Sequence, residues 1–204
     1  MSMTSVEGIL LVVGGYLVGS IPTGVILARL FSATDIRREG SGNIGATNVY
    51  RVLGAKLGVI TLVGDVLKGV VPVILTRFFM GDDVWIASVA LSTFLGHLYP
   101  LFLGFHGGKG VATALGIFIV ISPLVTAGGV IVFVVVVMRW KYVSLGSLAA
   151  SASMPLFLVI GEYAVVYGAL GLMIGCLIFY RHGDNIKRLR DGKEKKLSRV
   201  RNPG

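Results

Sequence analysis

The stretch from Val111 to Met138, VATALGIFIVISPLVTAGGVIVFVVVVM, decides the fold. It is apolar throughout. As one helix it would run about 42 Å at ~1.5 Å per residue, well past the ~30 Å hydrocarbon core of a bilayer. Ser122-Pro123 interrupts it, and a proline removes a backbone donor and ends helices readily. The sequence therefore predicts a hairpin of two short helices, about Val111–Ile121 and Pro123–Met138. A single span would put Arg139 and Lys141 opposite the loop before Val111, and the basic tail opposite the Arg-rich first loop. The hairpin instead gathers Phe31–Lys56, Gly104–Gly110, Arg139–Lys141 and the tail on one face. It leaves Asp82, Asp83 and Glu162 on the other, as the positive-inside rule asks.

Composition agrees with a membrane solvent. The 204 residues are 54% hydrophobic and 14% charged, with mean hydropathy +0.84. A soluble domain of this size cannot hide that much apolar surface. The apolar runs are continuous rather than alternating, which excludes a membrane β-barrel. The 29 glycines suit close helix packing in lipid. Outside the hairpin, helices are expected at about Gly8–Leu30, with a kink at Pro22, and at Leu57–Phe79, Val84–Phe102, Val143–Ile160 and Tyr163–Tyr180. The expected fold is all-α: a polytopic integral membrane protein of seven helical segments, one membrane domain over residues 1–204. Its N-terminus is expected outside and its C-terminus in the cytoplasm. Cys176 permits no internal disulfide and reads as a buried thiol.

The net charge is +9, and nine of the 19 Lys and Arg residues fall between Arg181 and Arg201. On a membrane protein this basic tail, 181–204, reads as cytoplasmic retention and attraction to anionic lipid rather than nucleic-acid binding.

Ahead of the hairpin lies Gly107-Gly108-Lys109-Gly110. Glycines around one lysine let an anion approach the backbone, and a helix starting at Val111 would aim its N-terminal dipole there. This is not a nucleotide-binding loop: Leu103 stands where such a loop has glycine, and Gly110 rather than Ser or Thr follows Lys109. The first loop adds Ser41, Asn43, Thr47, Asn48 and Arg51 among Gly42 and Gly45. Ser, Asn and Gly also form ordinary turns, but Arg51 just before a span could hold phosphate oxygens in pairs. Asp65 and Lys68 share a helix face. They read either as a mutually neutralising pair or as a site in which Lys68 aims at an anion and Asp65 orients it. His97 and His106 are as readily packing groups as bases. His182 and Asn185 follow the last span, three apart, and can face one way if the helix continues. No metal-ligand spacing is visible, and no cofactor is called for.

Three motifs carry a resemblance. They are Ser41-Gly42-Asn43-x-Gly45-x-Thr47-Asn48-x-x-Arg51, Gly64-Asp65-x-x-Lys68-Gly69, and Gly96-His97-x-x-Pro100-x-Phe102-x-x-Phe105-x-Gly107-Gly108-Lys109-Gly110-Val111-Ala112-Thr113. With Arg181-His182-x-x-Asn185-Ile186-x-Arg188-Leu189 and Gly192-x-Glu194, they resemble the bacterial acyl-phosphate:glycerol-3-phosphate acyltransferase family, the PlsY type, in order over nearly the whole chain. The resemblance implies a multi-pass protein of the bacterial inner membrane with its site facing the cytoplasm. It implies acyl transfer from acyl phosphate to the 1-hydroxyl of glycerol 3-phosphate in phospholipid synthesis, without acyl-CoA or acyl carrier protein. The His-x4-Asp dyad of the other large acyltransferase class is missing: Phe102, Val111 and Lys187 stand five beyond the three histidines.

On this reading Ser41, Arg51, Lys109, His182 and Asn185 are expected at the chemistry. Asn43, Thr47, Asn48, Lys68, His97, Gly107, Gly108, Gly110, Thr113 and Arg188 are expected to bind substrate. The attack is expected to be direct and substrate-assisted, with His97 or His182 as rival bases. A carrier for small phosphorylated anions and a non-catalytic lipid-binding protein are the alternatives from other classes.

Overall fold

The structure, a computed structural model, describes residues 5–32 and 34–197. The described residues form ten α-helices and one 3-10 turn, with no strand. In chain order the helices are α1 (Ser5–Gly19), α2 (Thr23–Phe31), α3 (Ala46–Leu53), α4 (Ala55–Phe79), α5 (Asp83–Leu98), α6 (Val111–Ile121), α7 (Pro123–Trp140), α8 (Val143–Ile160), α9 (Val165–Arg181) and α10 (Gly183–Arg190). Five stretches among them are long and apolar enough to cross a membrane, or six if α9 and α10 count as one bent span.

All seven expected segments are there; the three additional helices have local causes. Pro22 lacks an N–H, so the first span breaks into α1 and α2. The polar α3 and α10 are short surface helices whose residues read as loop and tail in the sequence. The residues after 197 lie outside the described ones.

The chain breaks at Ser122, and Pro123 occupies the first position of α7, where its missing N–H costs nothing. α6 packs along α4 and α7 along α8. At the far end Arg77 Nη1, in the last turn of α4, donates to Val120 O at 2.8 Å. At the near end Leu197 N donates to Lys141 O at 2.7 Å and Ser144 Oγ to Glu194 Oε1 at 2.9 Å. The segment thus leaves the loop at Lys109, turns, and returns to the face that carries the tail. On the opposite face Asp82 caps α5 through Val84 N and Trp85 N, and Tyr167 Oη donates to Asp83 Oδ1 at 2.6 Å.

Small residues set the helix spacing. Side-chain atoms at Gly19 or Gly96 would run into the facing backbone at Thr93 and Tyr16, so α1 and α5 touch through their main chains. Ser92 Oγ adds a 2.6 Å bond across the same seam to Val12 O. The outer faces are covered by exposed Val, Ile, Leu and Phe, the surface that lipid would cover. Cys176 is exposed among Leu172, Met173 and Phe179 on α9, which corrects the expectation of a buried thiol.

Candidate functional site

The first loop is held by one side chain. Asn48, 2% exposed, donates through Nδ2 to Ile36 O, Glu39 O and Asn43 O at 2.9–3.1 Å and accepts from Ser41 N through Oδ1 at 2.8 Å. Its amide is fully engaged in shaping the loop, so Asn48 supports the site instead of offering free groups to a ligand. Asn43 Oδ1 accepts from Gly45 N at 2.8 Å at the start of α3, which carries Thr47 and Arg51 to the cavity wall.

The glycine loop folds back on the end of α5. Gly107 N donates to Leu98 O and Gly108 N to His97 O, both at 3.1 Å. Both amides, expected at a phosphate, are here taken up by carbonyls of α5. Gly108 lies against the His97 ring, where no side chain would fit. Gly110 takes a left-handed conformation (φ 81°) and opens α6 without a side-chain cap. The N–H groups of Val111 and Ala112 therefore have no carbonyl a turn behind them, and both residues line the cavity with Lys109 and Gly110. The amides left open toward the cavity are those of the α6 first turn.

A tail residue braces this loop from outside. Arg181 donates through Nη2 to Gly107 O at 2.7 Å and through Nε to Gly108 O at 3.1 Å, with its guanidinium 5.8 Å from the Tyr99 ring. Just beyond, the chain bends by 61° between α9 and α10. The helix does not continue straight, yet His182 and Asn185 both face the same cavity. The His182 Nδ1–H donates to Ile178 O at 2.8 Å, which leaves Nε2 as an acceptor. Asn185 is a bridge: its Oδ1 accepts from the Lys109 ammonium, and its Nδ2 donates to Glu194 Oε1 at 2.7 Å. Glu194 also accepts from Arg188 Nε on Oε2 at 2.7 Å and from Ser144. Burial alone would raise the Glu194 carboxyl, but the bonds from Arg188, Asn185 and Ser144 hold it below its ordinary range. Burial, then the Arg188 charge, push Lys109 down to about 8.

Two cavities meet here. The inner one, about 680 Å³, has Ser41, Thr47, Arg51, Lys109, His182 and Asn185 at its mouth and runs down among α6, α7, α8 and α9. The outer one, about 420 Å³, shares Ser41, Asn43, Lys109 and Asn185 and adds Gly107, Arg181 and Arg188. A cationic rim above an apolar chamber suits an anionic headgroup on a long apolar chain. Among the described residues no cluster of His, Cys, Asp and Glu is placed to hold a metal ion.

Similarity to known proteins gives the context. A family model described as glycerol-3-phosphate acyltransferase matches residues 9–192. The chain belongs to the glycerol-3-phosphate acyltransferase family. It is 48% identical to the glycerol-3-phosphate acyltransferase of Geotalea daltonii, over 94% of this chain and 98% of that one. It is 52% identical to that of Geobacter sulfurreducens, over 89% and 93%. Crystal structures of PlsY, an integral membrane glycerol 3-phosphate acyltransferase, superpose with TM-scores of 0.91 in the glycerol 3-phosphate form and 0.89 in the lysophosphatidic acid form. Their sequence identities are 42% and 41%, each over 94% of this chain and 96% of that one.

In this member of the acyltransferase family not every residue expected at the site reaches it. Lys68 donates to Asp65 Oδ1 at 2.9 Å and to Ile21 O at 3.0 Å, beside the Pro22 break, and lines neither cavity. Lys68 thus forms a clasp across a broken helix, with its ammonium turned to Asp65 and Ile21 O. Thr113 meets His97 Nδ1 through Oγ1 at 3.1 Å, buried behind the loop, and also lines neither cavity. His97 touches the inner cavity from below, and His106 is exposed against Gly104 O. Arg181, Glu194 and Ser144 were absent from the expected set. The motifs of the resemblance contain Arg181 and Glu194 without giving either a role, and nothing pointed toward Ser144.

Proposed function

We propose that the chain transfers a fatty acyl group from acyl phosphate to the 1-hydroxyl of glycerol 3-phosphate, releasing lysophosphatidic acid and inorganic phosphate as a step of phospholipid synthesis. The observation that carries this reading is the junction of the two cavities at Lys109, with a cationic polar chamber on one side and an apolar chamber on the other. The acyl chain occupies the inner chamber and glycerol 3-phosphate the outer one, near Arg188. The clustering of Lys and Arg at this end of the bundle supports a site on the cytoplasmic side of a bacterial inner membrane, with the N-terminus outside.

Acyl phosphate is a mixed anhydride with a good leaving group, so no acyl-enzyme is required. The glycerol hydroxyl oxygen bonds to the acyl carbon, the bond from that carbon to the phosphate oxygen breaks, and the hydroxyl proton goes to the departing phosphate. Ser41, Arg51, Lys109 and the α6 first-turn amides hold the phosphate and the charge that develops on the carbonyl oxygen. Asn43 and Thr47 line the rim for polar groups of the substrates. Asn185 positions Lys109, and His182 Nε2 orients the attacking hydroxyl.

The test is phosphate release by the purified chain in a lipid mesophase. Release that needs both acyl phosphate and glycerol 3-phosphate, with none from acyl-CoA or acyl carrier protein donors, supports transfer. Uptake into sealed vesicles without release would mark a carrier instead. Near-total loss at a single histidine, His97→Ala or His182→Ala, with substrate affinity retained would sink the substrate-assisted step.

A further inference from the structure

The inner chamber has a closed end. On each surrounding helix its wall stops at one level: Phe118 on α6, Thr126 on α7, Met154 on α8 and Gly171 on α9. Phe118, Thr126 and Met154 are buried, and beneath them lies the packed core around Ile121, Leu158 and Leu170. A Cβ at Gly171 would come within 2.8 Å of Leu158 Cδ1, so the chamber is as deep there as the core permits. From Ser144 at the rim to Met154 at the floor, α8 rises about 15 Å. Hydroxyls along the wall are satisfied by their own helices: Ser147 donates to Val143 O, Ser151 to Leu148 O and Thr126 to Ser122 O. The wall asks nothing polar of its occupant.

We propose that Met154 and Phe118 form the stop of an acyl-chain ruler, setting the longest donor this chain transfers efficiently; the inference rests on the acyl-transfer reading above. An acyl chain enters from lipid, not from water, so burying each further methylene brings little hydrophobic gain. Length preference then comes from fit. A chain too short for the chamber loses a few dispersion contacts. A chain too long meets a close-packed floor, and its carbonyl is held back from Lys109 and the α6 amides. A displacement of about 1 Å at a reacting centre can cost roughly a hundredfold in rate. The profile against chain length is therefore lopsided, gradual on the short side and abrupt on the long side. The competing route for a long tail is sideways, past the exposed Val59 and Leu62 of α4 and Val130 and Val134 of α7 that flank the same cavity.

The experiment measures kcat/KM for decanoyl, dodecanoyl, tetradecanoyl, hexadecanoyl and octadecanoyl phosphate with the full chain in a lipid mesophase. Met154→Ala lowers the floor and moves the fall to longer donors. Ala150→Leu, about one turn nearer the rim, moves it to shorter ones. The ratio of hexadecanoyl to decanoyl turnover shifts by at least about tenfold in opposite directions in the two variants. Taken within one protein, that ratio cancels any loss of folded enzyme; if Ala150→Leu does not fold, Met154→Ala decides. Equal ratios in wild type and variants overturn the ruler and show that the tail leaves between α4 and α7. A wild type with no turnover on any donor overturns the acyl-transfer reading itself, and the ruler with it.

Discussion

The guanidinium of Arg181 donates to the carbonyl of Gly107 at 2.7 Å, across 74 residues of sequence. With its second bond, to Gly108 O, it presses the glycine loop against the end of α5, whose carbonyls take the loop's amides from the other side. The glycines that look like a phosphate cradle are thus a rigid backbone strap. What the strap presents is Lys109 and the first turn of α6.

Arg181→Ala should lower kcat/KM by about a hundredfold, because the loop it releases carries the reacting geometry. Arg181→Lys keeps the charge but loses the two-pronged fork, and should recover little of the loss. Steady-state rates in a lipid mesophase check this. Full rescue by lysine would show that charge alone matters there.

On the proposed mechanism Lys109 should give the reaction an alkaline limb. Its ammonium is held down at about 8 by burial and by Arg188, so the charge is present below that pH and is lost above it. For the free enzyme kcat/KM should fall with one proton's slope above pH about 8, and Lys109→Arg should move that limb upward. Stability should run the other way. The unfolded chain binds the proton more tightly, so the cost of the buried charge is relieved as pH rises from about 8 toward about 10.5. Lys109→Ala should abolish transfer at every pH.

Much of this was legible in the sequence where one residue controls a local outcome. Pro123 told of the hairpin, and the distribution of Arg and Lys told which loops meet. Ser41, Arg51, Lys109, His182 and Asn185 were picked as unusual polar residues, and all five line one cavity. The sequence did not reveal partners chosen by tertiary packing. Lys68 and Arg188 carry the same formal charge, and both read as anion-binding candidates, yet one clasps Asp65 inside the membrane and the other faces the polar chamber beside Glu194. Asn48 resembles Asn43 in the motif but is turned inward by three carbonyls. Spacing gives a residue's face, not the acceptor that waits there.

Asp65 and Lys68 are both buried and 2.9 Å apart. Removing one partner strands the other, so Lys68→Met or Asp65→Leu alone should cost about 3–5 kcal/mol, and the pair together much less. Thermal unfolding of the four proteins of the cycle measures it. If Lys68 is a clasp, the double variant keeps the wild-type KM for glycerol 3-phosphate. A large rise in KM in the double variant would return Lys68 to the substrate site.

Glu194 joins two helices through three side chains: Ser144 of α8, and Asn185 and Arg188 of α10. Its neighbours fasten the same segment over the cavity mouth, through Arg51 Nη2 to Lys195 O at 3.2 Å and Lys195 Nζ to Gly40 O at 3.2 Å. Glu194→Ala leaves a guanidinium and an amide without their acceptor, and each lost bond to a charged group is worth about 1.5–3 kcal/mol. It should lower thermal stability and also free Asn185 from its hold on Lys109, so kcat falls along with stability. Glu194→Gln keeps the shape and an acceptor oxygen but loses the charge opposite Arg188. It should recover most of the stability while moving the alkaline limb set by Lys109 to lower pH, since the carboxylate's charge favours the ammonium form. An unchanged limb in Glu194→Gln would separate the strap from the lysine and leave Glu194 with a purely architectural role.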